Sequence, residues 1–148
     1  MKVTVRPASQ ETLAELAAWR YDPPYDFYDG DQDPVVDPDR YHGVFGEDGA
    51  LVGFYYLEEK GDAVEIGLGL RPDLTGRSLG GEFFTAGLEF VRSRHPGRPV
   101  VLNVAAFNER AIKIYERGGF RETGRHIRRF ARWGEVEFVE MEEAGGRG

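Results

Sequence analysis

The stretch EIGLGLRPDLTGRSLGGEF, Glu65–Phe83, joins an apolar run to the start of an amphipathic one. Gly76, Gly80 and Gly81 cluster at the join, with Arg77 among them. Glycines free the backbone and let amide N–H groups approach whatever comes close. At the N-terminus of a helix that partner is often an anion. The loop has neither the G-x-x-x-x-G-K-[ST] pattern of a nucleoside-triphosphate loop nor the G-x-G-x-x-G of a dinucleotide fold. What remains is a strand-to-helix turn able to cradle a diphosphate, with the helix dipole and Arg77 adding positive potential. On composition alone an ordinary tight turn is the competing reading.

Upstream of the turn, AVEIGLGL (Ala63–Leu70) is a strand. Two more strands precede it, YHGVFG and ALVGFYYLEE, joined by EDG, where Asp48-Gly49 is a strong hairpin signal. Three consecutive antiparallel strands are the economical arrangement. Downstream, Ser78–Arg94 carries Leu79, Phe83, Ala86, Gly87, Phe90 and Val91 at helical spacing. After HPGRP the apolar run VVLNV reads as a short buried strand. A second helix is predicted from Asn108 to Arg117, with Ala111, Ile112 and Tyr115 on one face and Gly118-Gly119 as its stop. Two long strands around Trp133-Gly134 follow.

At the other end of the chain, VTVRP (Val3–Pro7) is a strand and Ser9 is the expected N-cap of a helix with Leu13, Leu16, Ala17 and Arg20 on one face. The segment YDPPYDFYDGDQDP after it reads as irregular, with at most one helical turn. This order predicts an α/β (α+β) layer, a mixed and mostly antiparallel central sheet of about seven strands flanked by helices. Strands Ala63–Leu70 and Val100–Val104 should run parallel with a right-handed crossover. Ligands of such sheets favour the crevice at the carboxyl ends of the strands, where the glycine cluster and Asn103–Asn108 both lie.

With 148 residues, of which 41% are hydrophobic and 30% charged, the chain fits one folded domain, expected over 1–143 with 144–148 as a frayed tail. The net charge of -7 argues against a non-specific nucleic-acid face and mildly favours a cationic partner. Solubility is the plainer account of the same charge. The absence of cysteine excludes disulfides, thiolate metal sites and a cysteine nucleophile. His42, His95 and His126 lack metal-ligand spacing, so no metal is assigned. No stretch approaches the roughly 18 apolar residues of a membrane span, and the N-terminus lacks an apolar signal core. The expectation is a cytoplasmic protein with no membrane partner.

EIGLGLRPDLTGRSLGGEF is similar to the central motif of the GNAT superfamily of N-acetyltransferases, in which a strand, a Pro-containing turn and [QR]-x-x-G-x-[GA] open a long helix. NERAIKIYERGGF, Asn108–Phe120, resembles the same superfamily's later motif, with Asn108, Tyr115 and the Gly119-Phe120 pair in register. The resemblance implies the GNAT-like acyl-CoA N-acyltransferase fold and an acetyl-coenzyme A site. It implies that the backbone of Leu68, Gly69 and Leu70 pairs with the pantetheine arm like an added strand. It also implies that the turn through Gly76, Arg77, Ser78, Leu79, Gly80 and Gly81 binds the pyrophosphate, with Asn108 at the cofactor as well. Thr75 stands where the family has Gln or Arg and Ser78 where it has its first glycine, while Gly80 keeps the second.

Amide formation requires an amine to lose a proton, attack the thioester carbonyl and expel a thiolate. Tyr115 resembles the family's general acid. A phenol near pKa 10 is protonated at neutral pH and can donate to a thiolate whose acid has a pKa of roughly 8.5. An aromatic on the buried face of its helix is the plain alternative. Some family members carry a glutamate on the strand before the second motif, but the matching position is Asn103, and an amide accepts no proton. Glu65, in an EIG that resembles members using this strand's glutamate, is the expected base, directly or through water. A lysine-like amine costs about 4 to 5 kcal/mol to deprotonate at pH 7, against about 1 for an α-amine.

The segment Tyr21–Asp33 occupies the place where this superfamily builds its acceptor pocket. Tyr25, Phe27 and Tyr28 offer aromatic faces there, and Asp22, Asp26, Asp29, Asp31 and Asp33 offer negative charge, a combination suited to a cationic amine. A solvated acidic loop whose aromatics anchor it is the alternative. The resemblance therefore implies an N-acetyltransferase that moves acetyl from acetyl-coenzyme A to a primary amine, on a small molecule or a peptide, by direct attack. A homodimer through the late strands is implied in the same way. A non-catalytic acyl-coenzyme A binding or regulatory domain is the alternative, fed by Thr75, Ser78 and Asn103.

Overall fold

A computed structural model describes residues 1–31 and 37–144. Its strands are β1 (Thr4–Pro7), β2 (Tyr41–Phe45), β3 (Leu51–Lys60), β4 (Ala63–Leu70), β5 (Val100–Ala105), β6 (Phe120–Phe130) and β7 (Gly134–Glu143). The helices are α1 (Gln10–Ala17), α2 (Gly80–Arg94) and α3 (Glu109–Arg117). All seven strands form one sheet in the order β1-β2-β3-β4-β5-β7-β6. Every neighbouring pair is antiparallel except β4 and β5, which are parallel as the intervening helix requires.

The period-two pattern of β3 divides the molecule into two faces. Gly53, Tyr55 and Leu57 are buried on one face, and Phe54, Tyr56 and Glu58 alternate with them. A register shift against Val44 and Phe45 of β2 turns the buried Leu51 to the other face. On the first face, Tyr55, Val64 and Ile66 of the sheet pack beneath Phe83, Phe84, Leu88 and Val91 of α2. Each such side chain contributes roughly 1.5–3 kcal/mol on burial. Phe84 and Leu88 belong to the inward face of α2, whereas Ala86 and Phe90, expected there, are half-buried at its margin. The Tyr55 hydroxyl donates to the Phe83 carbonyl at 2.6 Å, which fixes α2 over the strand that its rings cover.

On the second face α1 covers β2 and β3. Ser9 caps it as predicted, its hydroxyl accepting from the Thr12 amide at 3.1 Å. The buried stripe is Thr12, Leu16 and Trp19, not Leu16 with Ala17 and Arg20, which are exposed. The helix ends at Ala17, so Trp19 just beyond it folds back to close a small cluster with Leu16 and Leu51. At the C-terminus Ala144, expected in a frayed tail, donates its amide to the Gly119 carbonyl at 2.8 Å. The rest of that tail lies outside the described residues. No helix among the described residues is long and apolar enough to cross a membrane.

The sheet is breached at one seam. Strands β4 and β5 pair only at Val64 with Val100 and Glu65 with Val101. Beyond those residues β4 stays with β3 as far as Leu70, and β5 stays with β7 as far as Ala105. The two strands part toward their carboxyl ends and leave a wedge, the place where sheets of this kind bind ligands.

Candidate active site

The wedge is lined on one side by the free edge of β4. The Arg71 amide donates to the Val52 carbonyl across to β3 at 2.8 Å. By the alternation of an antiparallel ladder, Gly69 and Gly67 also turn their polar groups to β3, and Leu68 and Leu70 turn theirs to the wedge. The Leu70 carbonyl is engaged by the Tyr21 hydroxyl at 2.6 Å. The N–H and C=O of Leu68 and the N–H of Leu70 are therefore the groups on this segment that face the wedge. Gly69, expected to pair with a pantetheine arm, faces the wrong strand. Its missing side chain serves packing instead, since a Cβ there would lie 2.5 Å from the Phe54 ring.

The glycine turn closes the outer end of the wedge. Arg71 bridges Asp73 at 2.6 Å and donates to the Leu51 carbonyl at 3.0 Å, so the turn is tied to the β3 start. The Thr75 hydroxyl donates to the Pro72 carbonyl at 2.7 Å, which gives this departure from the family pattern a structural duty. Gly76 has φ 73 and Ser78 has φ 61; Ser78 is the one described residue other than glycine in that region. Helix α2 then starts at Gly80 without a side-chain cap, which leaves its first amides open to an anion. A Cβ on Gly80 would stand 2.6 Å from the Ile114 side chain, so glycine there also permits α3 to approach. Arg77 and Leu79 do not line the groove, and Arg77 is exposed. The cation that the turn faces is Arg110 of α3, whose guanidinium carbon lies 4.4 Å above the Tyr25 ring and whose tip is 3.8 Å from where a Gly76 Cβ would be.

Tyr115 projects from α3 into the same groove, its ring 4.7 Å from that of Phe84. Burial, and then the nearby Tyr28 phenol, hold its hydroxyl well above the ordinary phenol range. Asn108, expected at the cofactor, caps α3: its side-chain oxygen accepts from the Ala111 amide at 3.2 Å, and its nitrogen donates to the Tyr28 hydroxyl at 3.2 Å. Burial raises the Tyr28 phenol too, with the Asn108 bond opposing.

The acceptor segment differs from the expectation in two ways. Its one helical turn, Tyr25–Tyr28, is 3-10 and puts Tyr25 and Tyr28 on the groove. Phe27 points away: it is 9% exposed and edge-on to the rings of Tyr28, Phe107, Phe130 and Trp133. Three of the aspartates are engaged in holding the loop and tying it to its neighbours. Asp29 accepts from the Tyr21 amide at 2.7 Å, Asp31 pairs with Arg20 at 3.1 Å and Asp26 with Arg132 at 3.6 Å. Asp33 lies outside the described residues.

Negative charge reaches the groove from the sheet instead. Glu65 on β4 stands directly across from Glu58 on β3. Like charges so placed repel, and cations at the strand ends offset them. Lys60 pairs with Glu65 at 2.9 Å and Arg40 with Glu58 at 3.1 Å. Asn103 donates to the second oxygen of Glu65 at 3.2 Å, and the Tyr56 hydroxyl donates to Glu58 at 3.0 Å. Sequence reasoning singled out Glu65 of this patch but not Tyr41, Tyr56, Glu58 and Lys60, which line the groove with it. The alternation of LVGFYYLEEK was the available signal, because it already put Phe54, Tyr56 and Glu58 on one side. The whole groove, about 1360 Å³, runs from this acidic patch past Leu68 and Tyr115 to the glycine turn.

Residues 8–120 match the family described as Acetyltransferase (GNAT) family. Among curated relatives, the chain is 35% identical over 91 residues to a mycothiol acetyltransferase of Clavibacter michiganensis subsp. michiganensis, covering 61% of this chain and 29% of that protein. It is 36% identical over 100 residues to the Streptomyces coelicolor protein of the same name, covering 64% and 31%. The chain thus spans under a third of the length of these relatives. Among solved structures it resembles a chimera of the Vibrio cholerae spermidine N-acetyltransferase SpeG and hSSAT, with a TM-score of 0.74, 18% identity and 96% and 95% of the two chains covered. A GNAT-family acetyltransferase from Bacillus anthracis gives a TM-score of 0.73 at 12% identity, covering 96% and 94%. These likenesses concern the fold.

Proposed function

The chain belongs to the acetyltransferase (GNAT) family, and from that premise we propose that it transfers an acetyl group from acetyl-coenzyme A to a primary amine held on the open face of its sheet. The observation that carries this reading is the parting of β4 from β5 beyond Glu65 and Val101. It exposes a strand edge beside an uncapped helix start and brings Tyr115 into the same groove. Leu68 and Leu70 offer main-chain groups to a pantetheine arm, and the amides of Gly76–Gly81 suit its diphosphate.

Glu65 takes the proton of the attacking amine, directly or through water, with Asn103 and Lys60 holding its carboxylate and Arg40 balancing Glu58 beside it. Tyr41, Tyr56 and Glu58 form the aromatic and acidic wall that favours a cationic acceptor. Tyr115 serves the departing sulfur. A phenol raised above 10 faces a thiol near 8.5, so full proton transfer is uphill by more than about 2 kcal/mol. Tyr115 therefore works first as a hydrogen-bond donor to the thiolate, and solvent completes the protonation.

Thiol release from acetyl-coenzyme A, measured across a panel of α-amines and alkylamines for the wild type and Glu65→Gln, tests the proposal. Release should depend on the amine, and the substitution should lower kcat/KM for alkylamines by about 10²-fold. It should lower α-amine turnover less, because those amines need less help to deprotonate. Tight binding of acetyl-coenzyme A with no turnover on any amine would instead favour a binding domain.

A further inference from the structure

Helix α3 presents Arg110, Lys113 and Arg117 to the groove, opposite Gly76, Ser78, Gly80 and Gly81 of the turn. Steps of three and four residues put these three cations on one side of the helix. None of them makes an ion pair among the described residues, although Glu109 stands four residues before Lys113. In a chain of net charge -7 a row of unpaired cations along one wall of a ligand groove has a cost in mutual repulsion. Arg117 also lies in the last turn of α3, where a cation complements the helix dipole. That accounts for one of the three.

Arg110 is the best held of the row. Its guanidinium stacks on Tyr25, which leaves its planar edge free, and it stands beside the left-handed turn at Gly76. Arg77, the cation within the turn itself, stays outside the groove.

Coenzyme A carries a 5′-diphosphate and a separate 3′-phosphate. Amides of a glycine turn are matched to a diphosphate. They do not neutralise a third phosphate, and a cationic wall does. We propose that the α3 row is a phosphate wall that makes this protein distinguish coenzyme A from its 3′-dephospho form. Arg110 faces the diphosphate, and Lys113 and Arg117 receive the 3′-phosphate. The assignment rests on the proposed use of the groove by acetyl-coenzyme A.

Titration calorimetry with coenzyme A and 3′-dephospho-coenzyme A tests it, on the wild type, Lys113→Gln/Arg117→Gln, Arg110→Gln and the charge-keeping Lys113→Arg/Arg117→Lys. The wild type should bind coenzyme A about tenfold more tightly than the dephospho form at low salt, from two exposed ion pairs. The ratio should shrink as salt is added. The neutral double variant should bring it within about threefold while leaving dephospho-coenzyme A affinity unchanged, and the charge-keeping variant should restore it. Arg110→Gln should weaken both ligands and keep the ratio. Equal affinities in the wild type, or a neutral double variant that weakens both ligands alike, would overturn the phosphate wall and leave the acetyltransferase reading standing. Failure of the wild type to bind either ligand would overturn both.

Discussion

Tyr115 is where the residue-scale argument is sharpest. Its ring is wedged against Phe84 where the residue lines the groove, and burial keeps the phenol protonated far above neutral pH. Tyr115→Phe removes one oxygen and leaves the packing in place. It should lower kcat by about 10²-fold or more with little change in acetyl-coenzyme A affinity, read from single-turnover thiol release and from titration. An equal loss of binding and turnover would make the residue structural. Because the phenol is raised, the alkaline limb of the rate profile below pH 10 should be the same in both proteins. The residue types at this site were legible from motif spacing, but their neighbours were not. Nothing in the sequence says that Asn108 ties Tyr28 to α3, or that Phe27 turns inward while Tyr25 and Tyr28 turn out. Those are choices among rotamers and contacts made only once the β6–β7 hairpin brings Phe130 and Trp133 alongside.

At the scale of elements, β3 and β4 carry the site. Gly53 pairs with Leu70, and a Cβ added there would come 2.4 Å from the Phe83 ring and 2.6 Å from the Gly69 carbonyl oxygen. The ring can move, but the carbonyl belongs to the strand that borders the wedge. Gly53→Ala should therefore cost about 1–3 kcal/mol of stability by overpacking, a fall in Tm of roughly 3–10 °C. It should also weaken acetyl-coenzyme A binding, because relief of the contact displaces the β4 edge. Denaturant unfolding and titration of the same variant check both effects. Strands β2 to β5 and helices α2 and α3 could be read from periodicity because their alternation is long and their ends carry turn residues. The stripe of α1 could not, since at eight residues the helix is short and its key partner, Trp19, lies beyond its end.

At the scale of the whole molecule, stability should depend on pH through His42. Its ring is 6% exposed, lies 5.1 Å from Phe90, and is harder to protonate in the fold because of burial and then the Arg94 charge. A histidine depressed in the native state gives stability that is complete above its unfolded pKa, about 6.5, and is lost as pH falls below it. Urea unfolding between pH 8 and 5.5 should show that loss in the wild type and a shallower slope in His42→Gln. Glu59, Asp73 and Glu122, held below the usual carboxylate range by Arg98, Arg71 and Arg125, act only at lower pH, so the windows separate. By itself the sequence determined the elements, the parallel relation of β4 and β5 and the glycine turn, because each rests on periodicity, capping or local backbone freedom within a few residues, while Tyr115 stood out through the resemblance of its motif. Only the tertiary structure decided that β7 lies between β5 and β6, that β4 and β5 part after two paired residues, and that α3 rather than Arg77 brings cations to the turn. Those depend on which distant surfaces bury one another, and a linear pattern of apolar and polar residues carries no term for that.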